Sequence, residues 1–192
     1  MNKILRPDQP ILYMKIGVHA REPLESIINR KLKEIEDEGY AMWGYGGNTC
    51  HPSSMVQPFA SSSAEKGETI YLCMREMQSR HWAEQVRASK YSVDGEKWKS
   101  IPRGINVLGS RYALTIKNLR REKFELPLSR TRVALGNSAG APGTTYIAGR
   151  VDKACLVLGA DGKPTAENSE KVEPIGLVAD LCTPYAVFLR ND

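Results

Sequence analysis

Residues 10–39 read PILYMKIGVHAREPLESIINRKLKEIEDEG, and this stretch decides the fold. Its first part, residues 11–17, is a short apolar run. Alternate members of the run, Leu12, Met14 and Ile16, share one face, which is typical of a β-strand. The sequence therefore predicts an opening strand over 11–17.

The second part of the stretch predicts an amphipathic helix. Its apolar residues recur at helical spacing, at Leu24, Ile27, Ile28, Leu32 and Ile35. Pro23 suits the first helical position and Gly39 suits the C-cap. The charged side chains fall on the other face, at Arg30, Lys31, Lys33, Glu34 and Asp37. This pattern predicts a surface helix laid against a sheet.

The remaining elements are mostly short strands. They are predicted over 40–45, 69–74, 112–119, 146–158, 175–179 and 185–189. Asp94-Gly95 within 91–98 is a turn or hairpin signal, and 78–88 is either a short helix or an irregular excursion. Several strands around one clear helix predict an α+β fold, with a curved mixed sheet or small β-barrel and one main surface helix. The 192 residues are expected to form one domain.

Three connections are predicted to be loops. Residues 48–64 follow a run of glycines, and long loops often carry function. Residues 136–145 and 161–173 are rich in Gly, Pro and polar residues and are expected to be mobile. Gly136, Gly140 and Gly143 invite comparison with a phosphate-binding loop, but no lysine precedes the Thr pair as that motif requires.

Composition narrows the class of protein. No signal-peptide pattern begins the sequence, and no apolar run approaches the roughly 20 residues that span a bilayer, so a cytoplasmic protein without membrane contact is expected. The net charge is +5, yet residues 90–132 hold eleven Lys or Arg against four Asp or Glu. Clustered positive charge attracts phosphates, which favours an anionic ligand or a nucleic acid as partner.

The four cysteines are expected to be reduced thiols. Cys50, Cys73, Cys155 and Cys182 are irregularly spaced, without the pairs that mark a disulfide framework or a zinc ribbon. No bound metal and no cofactor are predicted.

The aromatic and glycine-rich segment 43–51 is the candidate recognition loop. Trp43 and Tyr45 offer flat faces for a base, and Asn48 pairs a hydrogen-bond donor with an acceptor that together read a base edge. Trp43 also suits a core position, so the alternative is a buried ring beside an ordinary turn. The predicted phosphate contacts lie in the basic stretch, at Arg111, Lys117, Arg120, Arg121 and Lys123.

The central part of the chain resembles PUA-like domains of the EVE and ASCH kind. The resemblance covers about residues 66–130 and is carried by the segments KGETIYL (66–72), ASKYSVD (88–94), YALTIKNL (112–119) and FELPL (124–128). It implies a small β-barrel whose cleft accepts a base or modified nucleotide from RNA or DNA. Trp43, Tyr45 and Trp98 would then form the cleft wall. The loop 48–64 and the added residues 136–192 depart from the family pattern.

The leading hypothesis is therefore binding of a nucleic acid or nucleotide through a basic face and the aromatic loop. One alternative is an enzyme that acts on a small nucleotide or modified nucleoside. His51 or His81 would serve as acid or base, and Cys50 is the weaker candidate for a nucleophile. A third hypothesis is an interaction protein that blocks a partner through its basic face.

Overall fold

The computed structural model describes residues 3–46, 52–80, 83–147, 151–159 and 171–191. Within these residues the strands are β1 Pro10–Val18, β2 Ala41–Tyr45, β3 Tyr71–Arg80, β4 Lys90–Ser92, β5 Lys99–Ser100, β6 Tyr112–Pro127, β7 Thr131–Val133, β8 Lys153–Leu158 and β9 Val172–Arg190. The α-helices are α1 Leu24–Glu38, α2 Gln57–Glu65 and α3 Gly143–Tyr146. Short 3-10 helices lie at Lys3–Leu5 and Leu128–Arg130, and a π-helical turn at Pro52–Val56 leads into α2.

All nine strands belong to one sheet, which confirms the predicted α+β fold. The main order is β2-β6-β9-β3-β1-β8-β7, and β4 pairs with both β9 and β5. The pair β1 and β3 is parallel and the other pairs are antiparallel. The sheet is open and mixed, so the closed barrel given as the other form of the fold is wrong.

The sheet bends so that distant strands share one core. Ile16 on β1 and Trp43 on β2 belong to the same buried apolar cluster, although β6, β9 and β3 separate their strands. Ile27 and Ile28 of α1 pack into this cluster, as do Phe59 and Ala60 of α2. The face covered by α1 and α2 is therefore the concave side of the sheet.

Strand β1 is buried on both faces. Leu12 and Met14 lie in the concave core, while Ile11 and Tyr13 lie in a second cluster on the opposite side. The Tyr13 hydroxyl donates a hydrogen bond of 2.6 Å to the buried Glu173 carboxylate. Burial and this carboxylate both raise the pKa of Tyr13. The strand prediction is confirmed, and Tyr13 occupies a central core position.

Helix α1 ends where the sequence predicted and begins one residue later than predicted. Pro23 is the N-cap, one residue before the predicted position, and the helix starts at Leu24. Gly39 adopts a φ of 80°, a left-handed conformation that suits glycine, and its N–H donates a 3.0 Å hydrogen bond to the Ile35 carbonyl.

The exposed face of α1 differs from the prediction. Leu32 is 42% exposed, although its spacing predicted burial. Lys31 and Glu34 are each 2% exposed, although their charges predicted the solvent face. The reason is a second contact, because the segment around Asn106 packs against this side of the helix and hydrogen-bonds to both charged side chains.

Several connections also differ from the prediction. Residues 52–65 are helical and so form no loop there. The glycine-rich stretch ends in α3, in which Gly143 and Thr144 are buried, so residues 143–145 are helical and form no loop. The strand predicted from residue 146 begins at Lys153. Residues 160–170 lie outside the described residues.

Two further corrections concern the strands. The segments 175–179 and 185–189 belong to one 19-residue strand, β9, because it pairs with β6 along nearly its whole length. Strand β3 runs to residue 80, and residues 83–86 have no regular structure, so the described residues of 78–88 contain no helix and the irregular alternative fits 83–86. The hairpin turn at Asp94-Gly95 is confirmed between β4 and β5.

Cys73, Cys155 and Cys182 form no disulfide with one another in the described part of the chain, while Cys50 lies outside the described residues. Burial raises the pKa of the Cys73 thiol. Within the described ranges no three His, Cys, Asp or Glu side chains are grouped closely enough to hold a metal ion. No helix in the same ranges has the length and apolar character needed to cross a membrane.

Candidate functional site

A pocket of about 440 Å³ opens on the concave side of the sheet. Its walls come from the end of β1, from α1, from β2, from the segment 106–111 and from the start of β8. Small-molecule sites in proteins usually enclose about 300–1,000 Å³. The pocket therefore has the size of a site for one small ligand.

The wall formed by 106–111 is held in place by a buried ionic cluster on α1. The Lys31 ammonium donates to both carboxylate oxygens of Glu34, at 3.0 and 2.8 Å, and to the Asn106 carbonyl at 2.7 Å. Glu34 Oε1 also accepts a 3.0 Å hydrogen bond from the Asn106 backbone N–H. Both backbone groups of Asn106 are thus fixed to the helix.

Arg30 completes this cluster. Its guanidinium donates to the Asn106 carbonyl, lies 3.2 Å from Glu34 and makes a two-point contact with Glu22 at 3.0 and 2.5 Å. Such paired contacts are among the stronger hydrogen bonds in proteins. The Glu22 charge is therefore already compensated within the protein.

The environment of Lys31 is unusual for a lysine. Burial lowers its pKa from 10.5 to about 8, and the charges of Glu34 and Arg30 act in opposite directions on it. Its three donors are all used by Glu34 and Asn106. Lys31 therefore supports the pocket wall, although it also lines the pocket.

Most of the charged side chains that line the pocket are cations. Five Lys or Arg residues surround it against two carboxylates, Glu22 and Asp152. Lys153 lies over the Tyr45 ring at 5.6 Å from its centroid. Lys15 is half-buried and Arg111 is exposed, and neither side chain pairs with a carboxylate in the described part of the chain. These two cations are available to an anionic ligand.

The other walls are apolar. Met14 and Ile16 of β1 and Trp43 of β2 line the pocket, as do Val18 and Met77, which are about 40% exposed. Trp43 is 4% exposed, so only a small part of its surface is accessible. This side of the pocket suits an apolar group better than a charged one.

One corner of the pocket carries a hydroxyl and an imidazole. Ser110 Oγ lies 3.3 Å from His19 Nε2, and both lie within 3.3 Å of the Leu108 carbonyl oxygen. Gly44 on β2 allows Ser110 to pack this close to the strand, because a Cβ at position 44 would lie 2.6 Å from Ser110 Oγ. Hydroxyl and imidazole groups can both donate hydrogen bonds to an anion.

Of the predicted site residues, Trp43 and Arg111 line this pocket. Tyr45 is fully buried behind it, in contact with Lys153. Trp98 lies elsewhere, on the β4–β5 hairpin, where the Arg190 guanidinium stands 5.3 Å from its ring centroid. The structure therefore does not bring Trp43, Tyr45 and Trp98 together as one wall.

The predicted phosphate contacts on β6 also lie apart from the pocket. Arg120 pairs with Glu122 and Asp180, at 2.9 and 3.1 Å. Arg121 pairs with a glutamate of α1 and another of β3, Glu25 and Glu76. Lys117 and Lys123 are exposed on the same strand. Asn48, Cys50, His51 and His81 lie outside the described residues.

Apart from Arg111, sequence reasoning missed the segment 106–111, and it missed the role of Glu34. The only signal was Gly109, whose φ is 59° and whose Cβ would lie 2.8 Å from the Glu84 carbonyl oxygen. This conformation and close packing both require glycine. A glycine before the Tyr112 strand therefore marked a tight turn, without indicating that the turn forms a pocket wall.

No protein-family model, no curated protein and no solved structure matches this chain. The resemblance to PUA-like domains consequently stays a prediction. The pocket itself is the basis on which a function is proposed.

Proposed function

We propose that the protein binds a nucleotide in the pocket between β1, α1, β2 and the segment 106–111. The observation that carries this proposal is the charge of the pocket. Lys15 and Arg111 flank it without carboxylate partners among the described residues, and Glu22 is neutralised by Arg30. A phosphate group is the common biological anion that suits two such cations.

The shape and chemistry of the other walls support a nucleotide over inorganic phosphate. The pocket volume of about 440 Å³ exceeds what a phosphate alone fills, and Trp43, Met14 and Ile16 provide an apolar side. Bases combine a flat apolar face with polar edges, so they suit a wall of this kind.

A small nucleotide is also favoured over a long polyanion. The β6 arginines proposed to follow a phosphate backbone are engaged by carboxylates, with Arg120 bound to Asp180 and Arg121 to Glu76. A polymer would have to displace these ion pairs. A nucleotide in the pocket could contact Lys15 and Arg111 without displacing an ion pair.

The test is a calorimetric titration with nucleoside monophosphates at two salt concentrations. The double variant Lys15→Ala/Arg111→Ala is expected to weaken binding by about tenfold or more, because each cation contributes a charge-assisted hydrogen bond. The matched control is Arg120→Ala/Arg121→Ala, which removes the same net charge outside the pocket and is expected to leave the affinity nearly unchanged.

Two outcomes would contradict the proposal. One is that no nucleotide binds the wild-type protein. The other is that both double variants lose affinity equally, which would indicate a general effect of net charge. A steep loss of oligonucleotide binding with salt, together with weak nucleotide binding, would instead favour the polymer.

The enzyme and the interaction protein stay alternatives. The acid and base predicted for an enzyme, His51 and His81, lie outside the described residues. Chromatography of the nucleotides recovered after the titration would reveal turnover, and an unchanged nucleotide would favour binding alone.

A further inference from the structure

Aromatic rings continue outward from the pocket along the concave face of the sheet. Tyr112 of β6 lines the pocket and packs against the concave core, and Phe188 of β9 is its direct partner in the strand pairing. The two rings meet edge to face, with their centroids 5.6 Å apart. Both residues are half-buried, so part of each side chain is accessible.

The same face carries an exposed cation beside a third ring. Arg190 is two residues beyond Phe188 on β9, so the two side chains lie on one face of the strand, about 7 Å apart along it. The Arg190 guanidinium stands 5.3 Å from the centroid of the Trp98 ring, and Trp98 is also half-buried. We call Tyr112, Phe188, Trp98 and Arg190 the aromatic strip.

The charge of the aromatic strip is available to a ligand. Arg190 is exposed and has no carboxylate partner among the described residues. Residues 90–100 of the neighbouring hairpin hold three lysines against two carboxylates, Asp94 and Glu96. Asp94 is engaged within its own turn, where it accepts hydrogen bonds from the Ser92 hydroxyl and from backbone N–H groups. The strip therefore combines accessible rings with positive charge.

We propose that the aromatic strip holds the second nucleotide of a single strand whose terminal nucleotide occupies the pocket. This inference rests on the proposed function. Accessible aromatic rings stack on unpaired bases of any sequence, and an arginine beside them suits the phosphate that links two nucleotides. Tyr112 belongs to both the pocket and the strip, so the two nucleotide sites adjoin. A duplex fits poorly, because its bases already stack on one another.

A strand bound in this way contacts few phosphates. Arg120 and Arg121 lie further along β6 than Tyr112, and they keep their carboxylate partners. The ligand is therefore the end of a single strand, and not a long polyanion bound along its backbone. Each phosphate contact to a single strand contributes about 0.7 to the slope of log affinity against log salt, so the dependence on salt should be shallow.

The experiment compares three ligands by calorimetry. They are adenosine monophosphate, the dinucleotide of adenosine in its 5′- and 3′-phosphorylated forms, and the same dinucleotide without its second base. The wild-type protein is expected to bind one form of the complete dinucleotide about tenfold more tightly than the mononucleotide. The ligand without the second base should lose most of this gain, because it has no ring to stack.

Substitution of Trp98 tests the stacking. Trp98→Ala should lower the affinity for the dinucleotide by about tenfold and leave the affinity for the mononucleotide unchanged, since Trp98 lies outside the pocket. Trp98→Phe keeps a flat ring and should retain most of the gain. Thermal melting checks that both variants are folded. If Trp98→Ala does not fold, the exposed Arg190 supplies the test.

Substitution of Arg190 tests the phosphate contact. Arg190→Ala should reduce the salt slope for the dinucleotide by about 0.7 and leave mononucleotide binding unchanged. The matched control is Lys99→Ala, which removes one cation from the same hairpin. Lys99 pairs with Tyr91, and Tyr91 pairs with Leu189, so Lys99 faces the side of the sheet opposite to Arg190. This control should change neither the slope nor the affinity.

The outcomes separate this inference from the proposed function. Equal binding of mononucleotide and dinucleotide by the wild-type protein would overturn the role of the strip and leave the nucleotide pocket standing. A gain that survives in both Trp98→Ala and Arg190→Ala would overturn it as well, as would tighter binding of a duplex than of the single strand. No binding of any of these ligands would refute both proposals.

Discussion

The protein contains two ionic networks, each built from a basic residue and glutamate, and they differ in burial. On α1, Lys31 and Glu34 pair at 2.8 Å with side chains that are each 2% exposed. On β6, Arg121 bridges Glu25 and Glu76 with side chains that are 42% exposed or more. The first network fixes the backbone of a pocket wall, whereas the second lies in solvent.

The comparison shows that a charge in the sequence is not the same as a charge available to a ligand. Arg120 and Arg121 belong to the most basic stretch of the chain, yet carboxylates already occupy them. Lys15 lies outside that stretch and has no carboxylate partner in the described ranges. Which cations can contact a ligand thus depends on where the carboxylates pack in the folded protein. A count of charges along the sequence does not contain this information.

Removal of Glu34 should give the largest effect on stability. Glu34→Ala leaves the buried Lys31 ammonium without a compensating charge and frees the Asn106 N–H. Breaking a buried ion pair in this way costs about 3–5 kcal/mol. Urea denaturation should show a loss of this size in the free energy of unfolding.

The matched control is Glu76→Ala, which removes one carboxylate of the exposed network and is expected to cost less than about 1 kcal/mol. Glu34→Gln keeps the shape and the acceptor oxygen but not the charge, so it should fall between the two. If Glu34→Ala and Glu76→Ala cost the same, the contrast between the two networks does not hold.

The buried pair of Lys31 and Glu34 should also make the free energy of unfolding depend on pH, and this effect is smaller than that of Glu34→Ala. Burial lowers the pKa of Lys31 to about 8 in the folded protein, against 10.5 for the ordinary value. Below pH 8 both states hold the proton, and the full cost of burying the charge is present. As the pH rises from 8 towards 10.5, the folded state releases the proton while the unfolded state keeps it. Stability should therefore rise with pH in this window.

The rise is measured against Lys31→Met/Glu34→Leu, which lacks the pair. The free energy of unfolding of the wild-type protein, minus that of this variant, should increase by about 2 kcal/mol between pH 7 and pH 9.5. Tyr13 and Cys73 also titrate at high pH, but they are present in both proteins and cancel in the difference. A flat difference would show that Lys31 keeps an ordinary pKa.

Much of the fold could be predicted from local patterns. Alternation identified β1, and 3.6-residue spacing with Gly39 identified α1, because each signal lies within a few neighbouring residues. The union of 175–179 and 185–189 into β9 could not be predicted, since it depends on pairing with β6. The single turn of α3 was missed because Gly143 and Pro142 are weak helix signals.

The candidate site was less accessible to sequence reasoning. Trp43 and Arg111 were identified as aromatic and basic residues, and both line the pocket. The burial of Lys31 and Glu34 depends on a segment more than 70 residues away, at Asn106. Helical spacing alone assigns both charges to solvent, so the wall they support could not be inferred.

The smallest effect on stability is expected from a change in the exposed network, and the dependence of this effect on salt is the informative measurement. Arg121→Ala removes the contacts to Glu25 and Glu76 and should cost less than about 1 kcal/mol, because exposed pairs gain little and lose side-chain freedom. At 1 M salt the screening length falls to about 3 Å, so this cost should nearly vanish. The cost of Glu34→Ala should persist at the same salt concentration, since ions do not reach a pair that is 2% exposed. Unfolding titrations of both variants at low and high salt would measure the two differences together. If the Arg121 cost persists at high salt, the bridge between α1 and β3 is structural, and the distinction drawn from burial is wrong.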